Sequence, residues 1–380
     1  MNIGIITVQK APENYGACLQ CFALWKYLTN IGHTCEVIDL TRPWSSKYIR
    51  SKRFTEKRKI TNSSFYRKLF EKIFNRRPKR NLSNPIENAM FKEFNNSIKY
   101  SKTYNCVDEL YDDPPIYDAY ISGSDQIWNP YMPFINEPYF LTFVPQGKIK
   151  LSYASSFAIS EIPAGIWTSY SGWLSDFKKI SVRESSGINI VKRNFGREAV
   201  TVLDPTMLLT RDEWEKMAVY PNTKDDYLLV YTLQYNSDII TSALKFSKNN
   251  NLRLKVIVSD TKHENRYKYP EEVELCEAGP KEWMGYIRNA QFVLTDSYHG
   301  SVFSILFERN FLTICTNKKV SERLTTLFNT FELQDCFIEA EKLDSISLSE
   351  LISRDYIPIR EKLNRKRIES QRFLIEGLNT

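Results

Sequence analysis

Apolar residues along the chain come in two alternating rhythms. "NIGIITV" near the start is a continuous apolar run, the mark of a strand buried on both faces. "NYGACLQCFALWKYLTNIGH" follows, with Leu19, Phe22, Ala23, Lys26 and Tyr27 at helical spacing and Gly32 placed to end the helix. "TCEVIDL" reads as a second strand. A strand-helix-strand start predicts a parallel sheet with helices on both faces. Strand-then-loop segments recur at "YDAYISGSDQIWNP", "KLSYASSFA", "KKISVRESSG" and "AVTVLDPTMLL". After Tyr220-Pro221-Asn222 a second series begins, with "DYLLVYTL", "LRLKVIVS" and "QFVLTDSYHG" as strands between helical segments. The last stretch, about 355–378, predicts a charged amphipathic helix. The pattern predicts an α/β protein of two doubly wound, Rossmann-like domains facing a central cleft: an N-terminal domain over 1–210, a C-terminal domain over 211–350 and a C-terminal helix over 351–380. Ligands in such folds bind at the carboxyl ends of the strands, so the polar clusters there form the rims of the cleft.

Length and composition fit this picture. The chain has 380 residues, enough for two domains, with 42% hydrophobic and 13% aromatic residues to fill their cores. No run approaches 18 uninterrupted apolar residues, so no transmembrane helix is expected, and "MNIGIITVQK" reads as a strand, not a signal peptide. Seven scattered cysteines suggest free thiols in a reducing cytoplasm. The net charge of +7 is uneven: Lys47 to Arg80 holds fourteen Lys/Arg against two Glu, a local +12, leaving −5 for the rest. Within it, "SSFYRKLFEKIFNRR" aligns Phe65, Leu69, Phe70, Ile73 and Phe74 in one stripe. This block reads either as a solvated helix packed on the domain or as a surface for an anionic membrane or polymer.

Four clusters carry candidate chemistry. In "ISGSDQIWN" the small residues after a buried strand let backbone N–H groups approach a ligand, and Ser124, Asp125 and Gln126 offer polar groups; the plain reading is a turn with Asp125 as a cap. In "ISVRESSG", Arg183 at a strand end can bind phosphate or carboxylate through paired hydrogen bonds, or form a structural pair with Glu184. "NYGACLQ" places Asn14 and Tyr15 between the first strand and helix, but without the dinucleotide or P-loop patterns. The pair Cys18 and Cys21 sits inside the helix without a second pair or a histidine cluster, so core packing is favoured over a metal site. The fourth cluster, "TDSYHGS", holds one of three histidines in the chain. His299-Gly300-Ser301 would open a helix whose N-terminus attracts anions, and His299 suits proton transfer.

Together "NYGACLQCFAL", "YDAYISGSDQIWNP", "SYASSF", "SVRESSG", "VLDPTMLL" and "TDSYHGSVFSILF" resemble the polysaccharide pyruvyl transferase family, over about residues 1–330. That resemblance implies a fold similar to two-domain glycosyltransferases of the GT-B type. It implies an enzyme that moves a pyruvyl group from phosphoenolpyruvate, a co-substrate needing no cofactor or metal, onto a sugar as a cyclic ketal. On this basis His299 is the expected acid, and Asp125 orients or deprotonates the sugar hydroxyl. Arg183, with Ser297, Tyr298, Gly300 and Ser301, is expected on the donor side. Some relatives carry arginine where this chain has Ser297, and Arg323 is the expected substitute charge. Asn14, Tyr15, Ser124, Gln126, Trp128 and Asn129 are expected to line the acceptor side. A sugar on a polyprenyl phosphate carrier is the expected acceptor in bacterial surface polysaccharide (capsule or exopolysaccharide) synthesis. The block 47–80 would then bind the anionic inner face of the cytoplasmic membrane, peripherally. A nucleotide-sugar glycosyltransferase of the same architecture is the alternative. A nucleic-acid binder is disfavoured because the basic charge is confined to one segment and no recognition motif is present.

Overall fold

The first strand, β1 (Asn2–Ile6), is buried from Ile3 onward and is hydrogen-bonded on both sides, as its apolar run requires. The computed structural model describes residues 1–11, 14–43, 45–52, 85–132, 134–223, 225–258, 268–315, 321–339, 342 and 354–379. The basic stripe at 63–77, and most of the block 47–80, lie outside these residues.

The first half runs β1, α1 (Tyr15–Asn30), β2 (Thr34–Leu40), α2 (Pro85–Asn95), β3 (Tyr100–Tyr104), α3 (Val107–Asp112), β4 (Ala119–Ser122) and β5 (Ile149–Ser152). It continues through α4 (Trp167–Leu174), β6 (Ser181–Val182), α5 (Ser185–Phe195), β7 (Val200–Thr201) and the short α6 (Arg211–Glu215). Strands β3-β2-β1-β4-β5 form one wholly parallel sheet, and β6 and β7 form a two-stranded parallel extension beside β5. The second half comprises β8 (Tyr227–Thr232), α7 (Ser237–Asn249), β9 (Arg253–Val258), β10 (Val273–Cys276), α8 (Pro280–Asn289), β11 (Phe292–Thr295), α9 (Tyr298–Leu306), β12 (Phe311–Cys315), α10 (Glu322–Phe331) and β13 (Phe337–Glu339). Its sheet is also parallel, in the order β10-β9-β8-β11-β12-β13. Each sheet reverses its winding beside its first strand, between β1 and β4 and between β8 and β11. These are the two places where a doubly wound sheet opens a ligand crevice.

Helix α1 joins the halves. Asn14 starts it, its side chain accepting from Ala17 N at 3.0 Å. Twelve of its sixteen residues are buried, so it has no wet face: one side packs on β2, where Trp25 Nε1 donates to Cys35 O, and the other meets the second half. Tyr15 lies parallel to Trp283 of α8, centroids 5.3 Å apart, and its hydroxyl donates to Ala278 O at 2.9 Å. The last helix, α11 (Ile357–Leu378), straps the halves from behind. Near its start Arg360 bonds Glu308, just beyond α9; further on Ser370 Oγ accepts from Leu203 N at 3.0 Å, and Glu376 pairs with Lys179.

Candidate functional site

The site grows from two loops that leave the switch points of the two sheets. After β4, Gly123 to Asp125 turn sharply. Asp125 holds φ +74°, a left-handed backbone that few side chains other than Asn and Asp tolerate. Its carbonyl accepts from Ile127 N at 2.8 Å and Ser156 N at 3.0 Å, and its Oδ1 accepts from Gln126 N at 2.8 Å. The carboxylate therefore closes the turn and still meets Arg183 Nη2 at 3.5 Å. After β11, Thr295 Oγ1 donates to Tyr231 O and accepts from Ser297 N, and Ser297 Oγ then caps α9 by accepting from Gly300 N at 3.3 Å. This aims Tyr298 and His299 across the junction.

His299 fits only because residue 16 is glycine. A Cβ there would lie 2.0 Å from His299 Nδ1, well inside contact distance. The Nε2 atom faces Asp204 Oδ2 at 3.6 Å. Asp204 is buried, and Arg183 Nη1 donates to the same Oδ2 at 3.0 Å, with Ser124 Oγ at 3.4 Å. Thr206 fixes the other oxygen through its backbone N–H at 3.0 Å and its hydroxyl at 2.8 Å. Burial opposes a charge on Asp204, but His299 and Arg183 outweigh it and hold the carboxyl well below its ordinary range. The same contest decides Asp125: burial raises it, and Arg183, then His299 and Arg323, bring it below its ordinary value.

Two guanidinium groups frame Tyr298, Arg183 at 4.8 Å and Arg323 at 5.7 Å from its ring centre. Arg183 comes from the first half and Arg323 from α10 of the second. Burial, then the like charge of Arg183, lower the pKa of Arg323, so this cation is held where its neighbours partly oppose it. Among the described residues, five buried polar atoms here have no protein hydrogen-bond partner: Ser156 Oγ, Arg183 Nε, Glu184 Oε2, Ser186 Oγ and Arg323 Nε; His299 Nε2 has only the longer 3.6 Å approach of Asp204. Such atoms are costly, about 1–3 kcal/mol each, and their concentration at one junction is the physical signature of a polar ligand site.

Several sequence expectations need correction. Trp128 does not line the site: it is fully buried, stacked on Phe140 at 5.0 Å, and its indole N–H donates to Tyr139 O at 3.1 Å. Tyr15 is spent on the interdomain stack and Asn14 on capping α1. Gly300 does not open its N–H to a ligand, since Ser297 takes it; a Cβ at 300 would meet Thr295 Oγ1 at 2.4 Å, so the glycine serves close packing. Ser301 is buried and donates to Ser297 O at 3.0 Å, with Thr313 Oγ1 at 2.7 Å on its other side. Asn129 and Gln126 bond one another at 2.9 Å in the loop after Asp125, where Gln126 stays partly exposed. Arg183 does not pair with Glu184, whose Oε1 instead accepts from Phe157 N and Ala158 N. The residues the structure brings together are His299, Arg183, Asp125, Ser124, Tyr298 and Arg323. Sequence reasoning missed Asp204, and it placed Gly16 in the loop before the first helix without seeing that it makes room for His299. Asp204 sits in "VLDPTMLL", quoted for the family resemblance but given no role of its own, and two of its partners, Ser124 and His299, lie 80 and 95 residues away in sequence.

The family model described as polysaccharide pyruvyl transferase matches residues 14–317. None of the curated proteins compared matches the sequence. Among solved structures, a UDP-GlcNAc 2-epimerase from Methanocaldococcus jannaschii aligns at 14% identity and TM-score 0.52, over 99% of this chain and 100% of that one. A trehalose-6-phosphate synthase, solved in a study of glycosyltransfer with retention, aligns at 12% identity and TM-score 0.52, over 99% and 98%. At these identities the likeness is one of fold: two Rossmann-like domains in the GT-B arrangement. Among the described residues no helix is long and apolar enough to cross a membrane.

Proposed function

The chain belongs to the polysaccharide pyruvyl transferase family, and from that premise we propose that it transfers the pyruvyl group of phosphoenolpyruvate to a sugar as a ketal. The observation that carries the donor assignment is the pair of guanidinium groups beside the Tyr298 ring, each with a buried Nε–H lacking a protein partner, next to His299. A small, multiply charged anion is what two such cations hold best. Arg183 is already paired with Asp204, so Arg323 supplies the less compensated charge and stands in for an arginine at 297.

The chemistry follows from the groups present. His299 delivers a proton to the methylene carbon of phosphoenolpyruvate, leaving cationic character at C2. A sugar hydroxyl adds its oxygen to C2 and gives up its proton to Asp125, which its cationic neighbours keep ionised. The C2–O bond to phosphate then breaks, phosphate leaves with the bond pair, and a second hydroxyl closes the ketal. Two hydroxyl protons are released; one replaces the proton given to the methylene and the other leaves with phosphate. Gln126, on the partly exposed rim beside Asp125, is the acceptor-side residue that the geometry supports best.

The acceptor we propose is a sugar carried on polyprenyl phosphate, met at the inner face of the cytoplasmic membrane through the basic block 47–80. Its charge of +12 supports this, at about 1 kcal/mol per basic group near an anionic surface. Incubating the protein with phosphoenolpyruvate and a panel of sugar diols tests the reaction. The expected result is phosphate release matched by a product carrying a ketal-linked carboxyethylidene group. Flotation on anionic liposomes tests the surface; no binding at low salt would remove it. Turnover of a nucleotide sugar, with phosphoenolpyruvate inert, would establish the glycosyltransferase reading instead.

A further inference from the structure

We infer that Asp204 is the positioning residue for His299: its carboxylate holds the proton on Nε2 and leaves Nδ1 as the nitrogen that exchanges a proton in the cleft. This rests on the role of His299 proposed above. The geometry is directional. Oδ2 faces Nε2 at 3.6 Å, while Nδ1 turns toward Gly16 at the N-terminus of α1. Asp204 cannot swing away, because Thr206 grips its second oxygen through two hydrogen bonds and Arg183 and Ser124 flank the first. A buried, ionised carboxylate accepts from an imidazole N–H and so selects one tautomer, as the orienting acid of a catalytic triad does. The titratable groups around His299 are Asp125 after β4, Arg183 after β6, Asp204 after β7, the neutral Tyr298 on α9 and Arg323 on α10, while α1 brings only Gly16 against the ring. Of these the structure places only Asp204 within 4.0 Å of a ring nitrogen as a charge partner. After the proton has gone to the donor's methylene, the ring is neutral with its remaining proton on Nε2. Reloading it takes a proton at Nδ1 from water or the acceptor hydroxyl.

The chain's three histidines make the idea directly measurable by nitrogen NMR of histidine-labelled protein. His299→Gln identifies the signal. At alkaline pH the wild type is expected to show His299 protonated on Nε2. In Asp204→Asn the new amide keeps its oxygen toward Thr206 and turns its N–H groups toward the imidazole, so the proton moves to Nδ1 and the two nitrogen shifts exchange. Turnover is expected to fall by about 10²–10⁴-fold, while the melting shift produced by phosphoenolpyruvate persists. An Nδ1-protonated ring in the wild type overturns the inference, whether or not Asp204→Asn folds. An unchanged tautomer in a folded Asp204→Asn overturns it as well. The tautomer is read without donor, so an Nε2-protonated ring in a protein that ignores phosphoenolpyruvate would uphold this inference and remove the pyruvyl reading.

Discussion

Asp296, one residue beyond β11, gives a prediction whose size can be worked out. Its Oδ1 accepts from Leu233 N at 2.8 Å, and burial pushes its carboxyl up to about 6 from an ordinary 3.8, with no cation among the causes. A carboxyl raised in the folded state makes the fold bind more protons than the unfolded chain. Stability is therefore lost as pH rises through this window, rather than gained. The shift corresponds to about 3 kcal/mol when complete. About a third of it, ~1 kcal/mol, is already lost at pH 4.5, and nearly all of it at pH 7.5. Asp296→Asn keeps an acceptor for Leu233 and removes the charge. The variant should then gain about 1 kcal/mol over wild type at pH 4.5 and about 3 kcal/mol at pH 7.5. Parallel urea melts of both proteins at the two pH values measure it. A difference that stays constant with pH, or that shrinks toward pH 7.5, would refute the claim that this carboxyl is desolvated without a cationic partner.

Three further outcomes follow from the same geometry. Gly16→Ala should displace His299, costing about 1–3 kcal/mol in overpacking and on the order of 10²-fold in turnover; a melt and a turnover assay on one preparation separate the two effects. Arg323→Ala should leave the melting temperature near wild type, because it relieves repulsion with Arg183, whereas Arg183→Ala strands Asp204 and should cost about 3–5 kcal/mol, read by urea unfolding. Burial pushes Cys18 and Cys336 up to about 12, so native protein at pH 8 should resist alkylation at both until denaturant is added, as mass spectrometry would show.

Much of this was legible in the chain because burial on both faces leaves a continuous apolar run. β1, β8 and β11 stand out on that ground, β2 and β9 show through their β-branched residues although charges interrupt them, and α11 spans Ile357–Leu378 close to the stretch its periodicity marks. β6 and β7 have two residues each and carry too little pattern to be told from loop. The site divides in the same way. His299, Arg183 and Asp125 lie at strand ends and show there. Trp128 and Tyr15 were misplaced because a large aromatic with one polar atom can serve a ligand or a core equally well, and only the partner of that atom decides. Asp204 and Gly16 act through residues 95 and 283 positions away, 299 − 204 and 299 − 16, which no local pattern reveals.

The most direct test of the central claim is a melting-temperature titration of the wild type and Arg323→Ala with phosphoenolpyruvate and with UDP. A ligand that binds only the folded protein stabilises it by about 2.7 kcal/mol at a hundred times its dissociation constant. The account predicts a rise with phosphoenolpyruvate, none with UDP, and no rise in Arg323→Ala. A rise with UDP and none with phosphoenolpyruvate would contradict it.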